Sequence, residues 1–234
     1  MTTDRRASIT TGVLFIIATV AVLAAAAVVP ALTGPAALSA VGDQPTRVAV
    51  AALLYLVAAG TSVGIAIVLY PALRRFGPTA ALGSVIFRTI EAVFYTLSVV
   101  MLLSVLPLAR TLTVDAELSS SAQIIAQTLL DVREHSDVVA VMALSMGALL
   151  YYTLLYRSRL VPRWLSGWGI VGTLLILTAA ILALVSNAPV TGYAPLILPI
   201  LIQEMVLAVW LVVKGFNTSA SAVQGSATST AVLR

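Results

Sequence analysis

The chain has 234 residues, 60% of them hydrophobic and only 9% charged, with a net charge of +4 and a mean hydropathy of +1.07. Water-soluble domains run nearer about 45–50% apolar and about 25% charged, so this composition excludes a soluble globule and makes lipid the solvent for most of the chain. Cysteine is absent, which removes disulfides, thiolate metal ligation and thiol nucleophiles.

Residues 1–10 read as a cytoplasmic N-terminus. Arg5 and Arg6 precede an apolar stretch from about Thr11 to Ala31, longer than the roughly 7–15 residues of a cleavable signal core, and therefore a retained first span. Further apolar segments run from about Val48 to Tyr70, Thr79 to Leu106, Val138 to Tyr156, Trp164 to Ser186 and Ala194 to Val213. Helices satisfy their own backbone in lipid, and the alternation of a barrel strand is absent. The fold class expected is all-α, a polytopic transmembrane bundle of about six helices, with residues 11–214 as one domain and 215–234 as a disordered cytoplasmic tail rich in Ser, Thr and Ala.

Basic residues set the orientation. One side of the bundle would carry Arg5, Arg6, Arg74, Arg75, Arg157, Arg159, Arg163, Lys214 and Arg234, the other only Arg47, Arg110 and Arg133. The positive-inside rule makes the first side, and both termini, cytoplasmic, in a cell membrane. Tyr156, Trp164, Trp168 and Trp210 fall near that boundary, where amphipathic rings prefer to lie. The scattered arginines read as topology signal and headgroup contact, and no nucleic acid partner is expected.

The long connection before span four reads, after Ser119, Ser120 and Ser121, as an amphipathic helix over Ala122 to Val132 with Ile125, Leu129 and Val132 on one face. Serine capping and an interfacial position suit it; a lid over a lateral opening is the alternative. Gly60 and Gly64, with Gly167, Gly169 and Gly172, offer close helix approaches, and self-association into a homo-oligomer is compatible with them. Pro199 removes a backbone bond inside span six and should kink it, with Pro195 one turn earlier.

Three full charges fall deep within the spans: Arg88, Glu91 and Glu204. Each costs about 2.5–3.5 kcal/mol at a helix centre on insertion scales. At 1.5 Å per residue they lie about 13, 18 and 15 Å along their helices, near mid-depth. Arg88 and Glu91 share a face that Tyr95 extends, and Gln203 precedes Glu204. If Glu204 faces the same interior, the reading expects one ionised and one protonated carboxyl, the pairing that acid and base chemistry or proton coupling uses. Glu204, Glu91 and Arg88 are thus the candidate catalytic residues, with Tyr95 and Gln203 as ligand-binding neighbours. A purely structural triad fits the same pattern. His135, between Glu134 and Asp137, reads as a solvated acidic loop end; neither a metal nor a cofactor is expected.

Tyr70-Pro71-Ala72-Leu73-Arg74-Arg75 leading into Phe87-Arg88-Thr89-Ile90-Glu91, then Leu154 to Leu165 (LLYRSRLVPRWL), then Glu204 with Trp210-Leu211-Val212-Val213-Lys214-Gly215-Phe216, together resemble the bacterial membrane family catalogued as domain of unknown function 4386. The resemblance implies six to seven helices and supplies no catalytic residues. Three functions follow from the residues. They are binding or acid–base conversion of an apolar lipid-phase molecule, an isoprenoid for example; small proton-coupled transport; and a membrane-embedded accessory role in which the triad is structural.

Overall fold

Without water to bond their backbone, the apolar segments close their hydrogen bonds internally as helices. The computed structural model describes residues 3–30, 32, 37–109 and 116–217. In chain order these form α1 (Thr3–Val28), a short α2 (Ala37–Asp43), α3 (Pro45–Leu73), α4 (Pro78–Ala109), α5 (Ala116–Ser158) and α6 (Arg163–Ser186), then a 3-10 turn (Val190–Tyr193) and α7 (Ala194–Val213). All but α2 are long and apolar enough to cross a membrane, which gives the six spans expected. Prolines open α3 and α4, where a missing N–H costs nothing. Arg110, Asp115, Arg234 and the tail from residue 218 lie outside the described residues.

The spans close into a ring. Each packs on two neighbours, in the order α1, α3, α4, α5, α6, α7 and back to α1. In that order α4 and α7 face one another across the ring. α5 is the most enclosed: 61% of its apolar window is buried, against 28–39% in the others.

Closure at α1 and α7 rests on small residues and capping. Gly12 lies against α7, where an added Cβ would approach Ala208 O to 2.6 Å. Arg5 donates to Val212 O at 2.8 Å and Val213 O at 3.2 Å, and Ser8 Oγ to Leu211 O at 2.8 Å. The first helix therefore satisfies the terminal carbonyls of the last, with a cation at the negative end of its dipole. Gly215 ends α7 in the left-handed region, φ 80°, where glycine carries no Cβ penalty. The start of α1, the α3–α4 and α5–α6 turns and the end of α7 share one end of the bundle. Asp4 pairs with Arg75 at 3.6 Å and Asn217 N–H donates to Leu160 O at 2.9 Å there. Trp164 and Trp210 meet edge to face at 6.5 Å at the same end.

The separate helix expected over Ala122–Val132 is instead part of α5, one uninterrupted helix of 43 residues. Neither Gly nor Pro occurs between Ala116 and Met146 to stop it, and Ser119, Ser120 and Ser121 lie inside it rather than at its cap. Its inward face is Ala122, Ala126 and Leu130, while Ile125 and Val132 are exposed. At 1.5 Å per residue α5 is ~64 Å long, about twice a ~30 Å hydrocarbon core. Its first half packs with α2, the start of α3 and the end of α4 around Val41, Val48, Leu102, Val105, Ala126 and Leu130.

Among the glycines singled out from sequence, Gly169 and Gly172 are close approaches, on the Tyr152 ring and on Ile200, and Gly64 meets Leu14. Gly60 has nothing within 4 Å and Gly167 has only ordinary contact with Tyr156. Pro199 falls in the second turn of α7, which continues unbroken through it. Gly169→Val should lower stability by about 1–3 kcal/mol, because its side chain meets the Tyr152 ring. Gly60→Ala should stay within about 0.5 kcal/mol of the parent. Thermal unfolding of the detergent-solubilised protein compares the two.

Candidate functional site

The inward stripe of α4 sets the interior. Ala81, Ser84, Arg88, Glu91, Tyr95, Ser98, Leu102, Val105 and Ala109 alternate at spacings of three and four, the repeat that keeps one face on a helical partner. Apart from the half-buried Tyr95, all are buried. The middle of this seam is polar where a packed bundle would ordinarily place aliphatic side chains.

Arg88, Glu91 and Glu204 converge. Arg88 Nη1 donates to Glu91 Oε2 at 2.9 Å and to Ser62 Oγ at 3.1 Å. Ser62 in turn donates to Glu91 Oε1 at 3.0 Å. On its other branch, Arg88 Nη2 donates to the Tyr151 hydroxyl at 3.3 Å and lies 3.8 Å from Glu204 Oε1. The guanidinium also stands 5.5 Å over the Tyr151 ring. Arg88 and Glu91 side chains are 4% and 3% exposed, Glu204 15%. One guanidinium fork thus holds a carboxylate of its own helix and a carboxylate from across the ring.

Of the two neighbours expected to bind a ligand, Gln203 is fully buried and braces the helices. It accepts from the Tyr152 hydroxyl at 2.5 Å and donates from Nε2 to Leu165 O at 3.0 Å. Tyr95 stands one turn beyond Glu91, among Glu91, Arg88, Asp137 and Tyr55, and makes no hydrogen bond to the triad. The sequence reading missed Ser62 and Tyr151, which tie α3 and α5 to α4, and Tyr152, which with Gln203 joins α5, α6 and α7. A usable signal was present in the tyrosine pair, because a phenol deep in a span needs a partner for its hydroxyl.

Arg133 and Asp137, read from sequence as residues of an outer connection, are half-buried within α5. They pair at 3.6 Å, and Arg133 lies 5.8 Å over the Tyr55 ring. The continuity of α5 turns them inward. A cavity of about 110 Å³ opens on the α6-facing side of the same stretch, lined by Asp131, Glu134 and His135 of α5 and by Asn187 and Ala188 after α6. His135 Nδ1 is 2.7 Å from Asp131 O, and no group of three His, Asp or Glu among the described residues is placed to hold a metal. A second, much smaller cavity lies at the opposite end, beside Asp4, Arg75 and Phe216. Neither is lined by Arg88, Glu91 or Glu204.

A closed ring of six apolar helices, knotted at mid-depth by one guanidinium and two carboxylates, is a multi-pass helical membrane protein. Over residues 10–215 the sequence matches the model of a domain of unknown function, DUF4386, and the chain belongs to that family. No curated protein and no solved structure matches it.

Removing one member of the triad leaves the others uncompensated. Arg88→Met should destabilise by about 3–5 kcal/mol, whereas the combined Arg88→Met/Glu91→Gln/Glu204→Gln should recover most of that loss, because no buried charge is then left unpaired. Equilibrium unfolding in mixed micelles separates the two.

Proposed function

We propose that this chain is a membrane-embedded accessory protein in which Arg88, Glu91 and Glu204 form an ion-pair lock between opposite helices of the bundle. The observation that carries the reading is that protein groups, rather than a cavity, face the charged ends of the triad. Glu91, Ser62, Tyr151 and Glu204 surround the guanidinium termini, and neither described cavity reaches it. Conversion of an apolar molecule needs room for that molecule beside an acid. With the carboxyls set against Arg88 and neither described cavity beside them, the accessory reading is favoured over the isoprenoid-type one.

In this reading both termini face the cytoplasm of a cell membrane, residues 11–214 form the membrane domain and the basic end is its cytoplasmic face. The function is exerted through surfaces that contact other membrane components, and the lock fixes the helix register those surfaces require.

Proton-coupled transport is the second reading, favoured by one specific feature. Spans one to three and four to six run in opposite directions, and Glu91 and Glu204 each stand in the third helix of their half, on either side of Arg88. Midplane charges between opposed halves are where coupling ions are bound in transporters.

Proteoliposomes decide between them. Under the accessory reading an imposed pH gradient drives no proton flux above that of protein-free vesicles, and Glu204→Gln lowers thermal stability and cellular abundance together. A flux that depends on Glu204 in a protein of unchanged stability overturns it in favour of transport.

A further inference from the structure

We infer that water and protons reach Glu91 from the end of the bundle bearing Asp131 to Asp137, along a polar file through Ser98 and Tyr95. This goes beyond the accessory reading and does not rest on it: a structural lock and a coupling site would both be reached this way.

The two halves of the interior differ in chemistry. From Arg88 toward the basic end, the α4 stripe offers Ser84, whose hydroxyl donates to Ala81 O of its own helix at 2.8 Å. Beyond it lie Ala81, Leu69, Leu73, Leu155, Leu165 and Leu211, each no more than 1% exposed. The Tyr151 and Tyr152 rings stand beside this plug, 4.4 Å apart, with Tyr152 pressed on Gly169. The buried polar side chains on this side, Ser8, Thr11, Ser166, Thr173 and Gln203, are hydrogen-bonded within the protein, and apolar interiors stay dry.

Toward the other end the same stripe remains polar. Glu91 is followed at four and seven residues by Tyr95 and Ser98, about 10 Å along the helix. Tyr95 lies among Glu91, Arg88, Asp137 and Tyr55. Ser98, buried on the same stripe, lies beside Asp137 of α5, whose side chain is 28% exposed and pairs with Arg133. Successive polar groups are thus about one helical turn apart, a step that a single bridging water covers. The buried donors add an independent observation. Arg88 Nε and Arg133 Nε, at the two ends of this file, are both buried without a hydrogen-bond partner; the third such donor among the described residues, Trp210 Nε1, lies at the basic end in the last turns of α7, away from the triad. Buried donors of that kind are ordinarily satisfied by internal water.

The groups facing Glu91 are Arg88 and Tyr95 of α4 and Ser62 of α3, with Tyr151 of α5 and Glu204 of α7 on the far side of the guanidinium. Toward the acidic end, Glu91 meets Tyr95 on its side of the guanidinium.

The cysteine-free sequence makes the test direct. Single Ser98→Cys and Ser84→Cys variants are placed in sealed proteoliposomes, with Gln127→Cys and Arg157→Cys marking the acidic and basic sides through an impermeant maleimide. Ag⁺, comparable to water in size, is then added from each side, and protected thiols are counted by mass spectrometry. Thiols react as hydrated thiolates, so Ser98→Cys should be modified from the Gln127 side at least about tenfold faster than Ser84→Cys, which should resist from both sides. Radiolytic hydroxyl-radical labelling of the unmodified protein requires no substitution and should oxidise Tyr55 and Tyr95 well ahead of Tyr151 and Tyr152. Equal rates at Ser98→Cys and Ser84→Cys, entry from the Arg157 side, or equal oxidation of the four tyrosines overturns the inference. None of these outcomes bears on whether Arg88→Met destabilises the bundle, so the lock and the access path stand or fall separately.

Discussion

A guanidinium buried at mid-depth cannot escape its charge by losing a proton, and in lipid it cannot borrow water from the surface. Arg88 therefore dictates what its neighbours must be. Glu91 supplies a counter-charge from the same helix, Ser62 bridges the pair, and Tyr151 and Glu204 take the second branch of the fork from two other helices. Apolar packing alone leaves helices free to rotate against one another in a membrane, since lipid tails compete equally well for a leucine face. A fork with partners on three other spans leaves α4 one rotation and one depth.

The rest of the ring is arranged so that this geometry is reachable. Gly169 makes room for the Tyr152 ring, Gly172 brings α6 onto α7 at Ile200, and Gly12 lets α1 close on α7. Gln203 holds α7 to α6 through Leu165 O and to α5 through Tyr152. At the basic end, Arg5 and Ser8 cap α7. These contacts are short and specific, and several use backbone carbonyls, as expected where polar groups in lipid must find protein partners.

Much of this was legible in the sequence because hydrophobic length is a strong signal: all six spans, the class and the position of the three charges well inside their helices were read from it. The pairing of Arg88 with Glu91 followed from their spacing on one helix. Their meeting with Glu204 was only conditional, since nothing local says which way α7 turns its polar face. α5 was misread because the charges at Asp131 to Asp137 look like a loop, whereas a chain without Gly or Pro has no reason to leave the helix there. Gly60 was misjudged for the opposite reason. A small residue reports a close approach only when a partner stands opposite, and Gly60 faces none. Ser62 and Gly12 carried no signal, being ordinary residues made important by what the ring places beside them.

The spacing of Arg88 and Glu91 also bears on how such a ring is made. Chains emerge N-terminus first, so α4 must enter the bilayer while α7, and Glu204 with it, is still unsynthesised. A lone arginine would then face hydrocarbon for the whole of that interval. Because Glu91 lies one turn away on the same helix, α4 carries its own neutralising partner into the membrane and holds the second branch of the fork for the last span. The i, i+3 pair is in this sense a travelling counter-ion for biogenesis, and closure of the ring is the moment at which it is joined by its permanent companion.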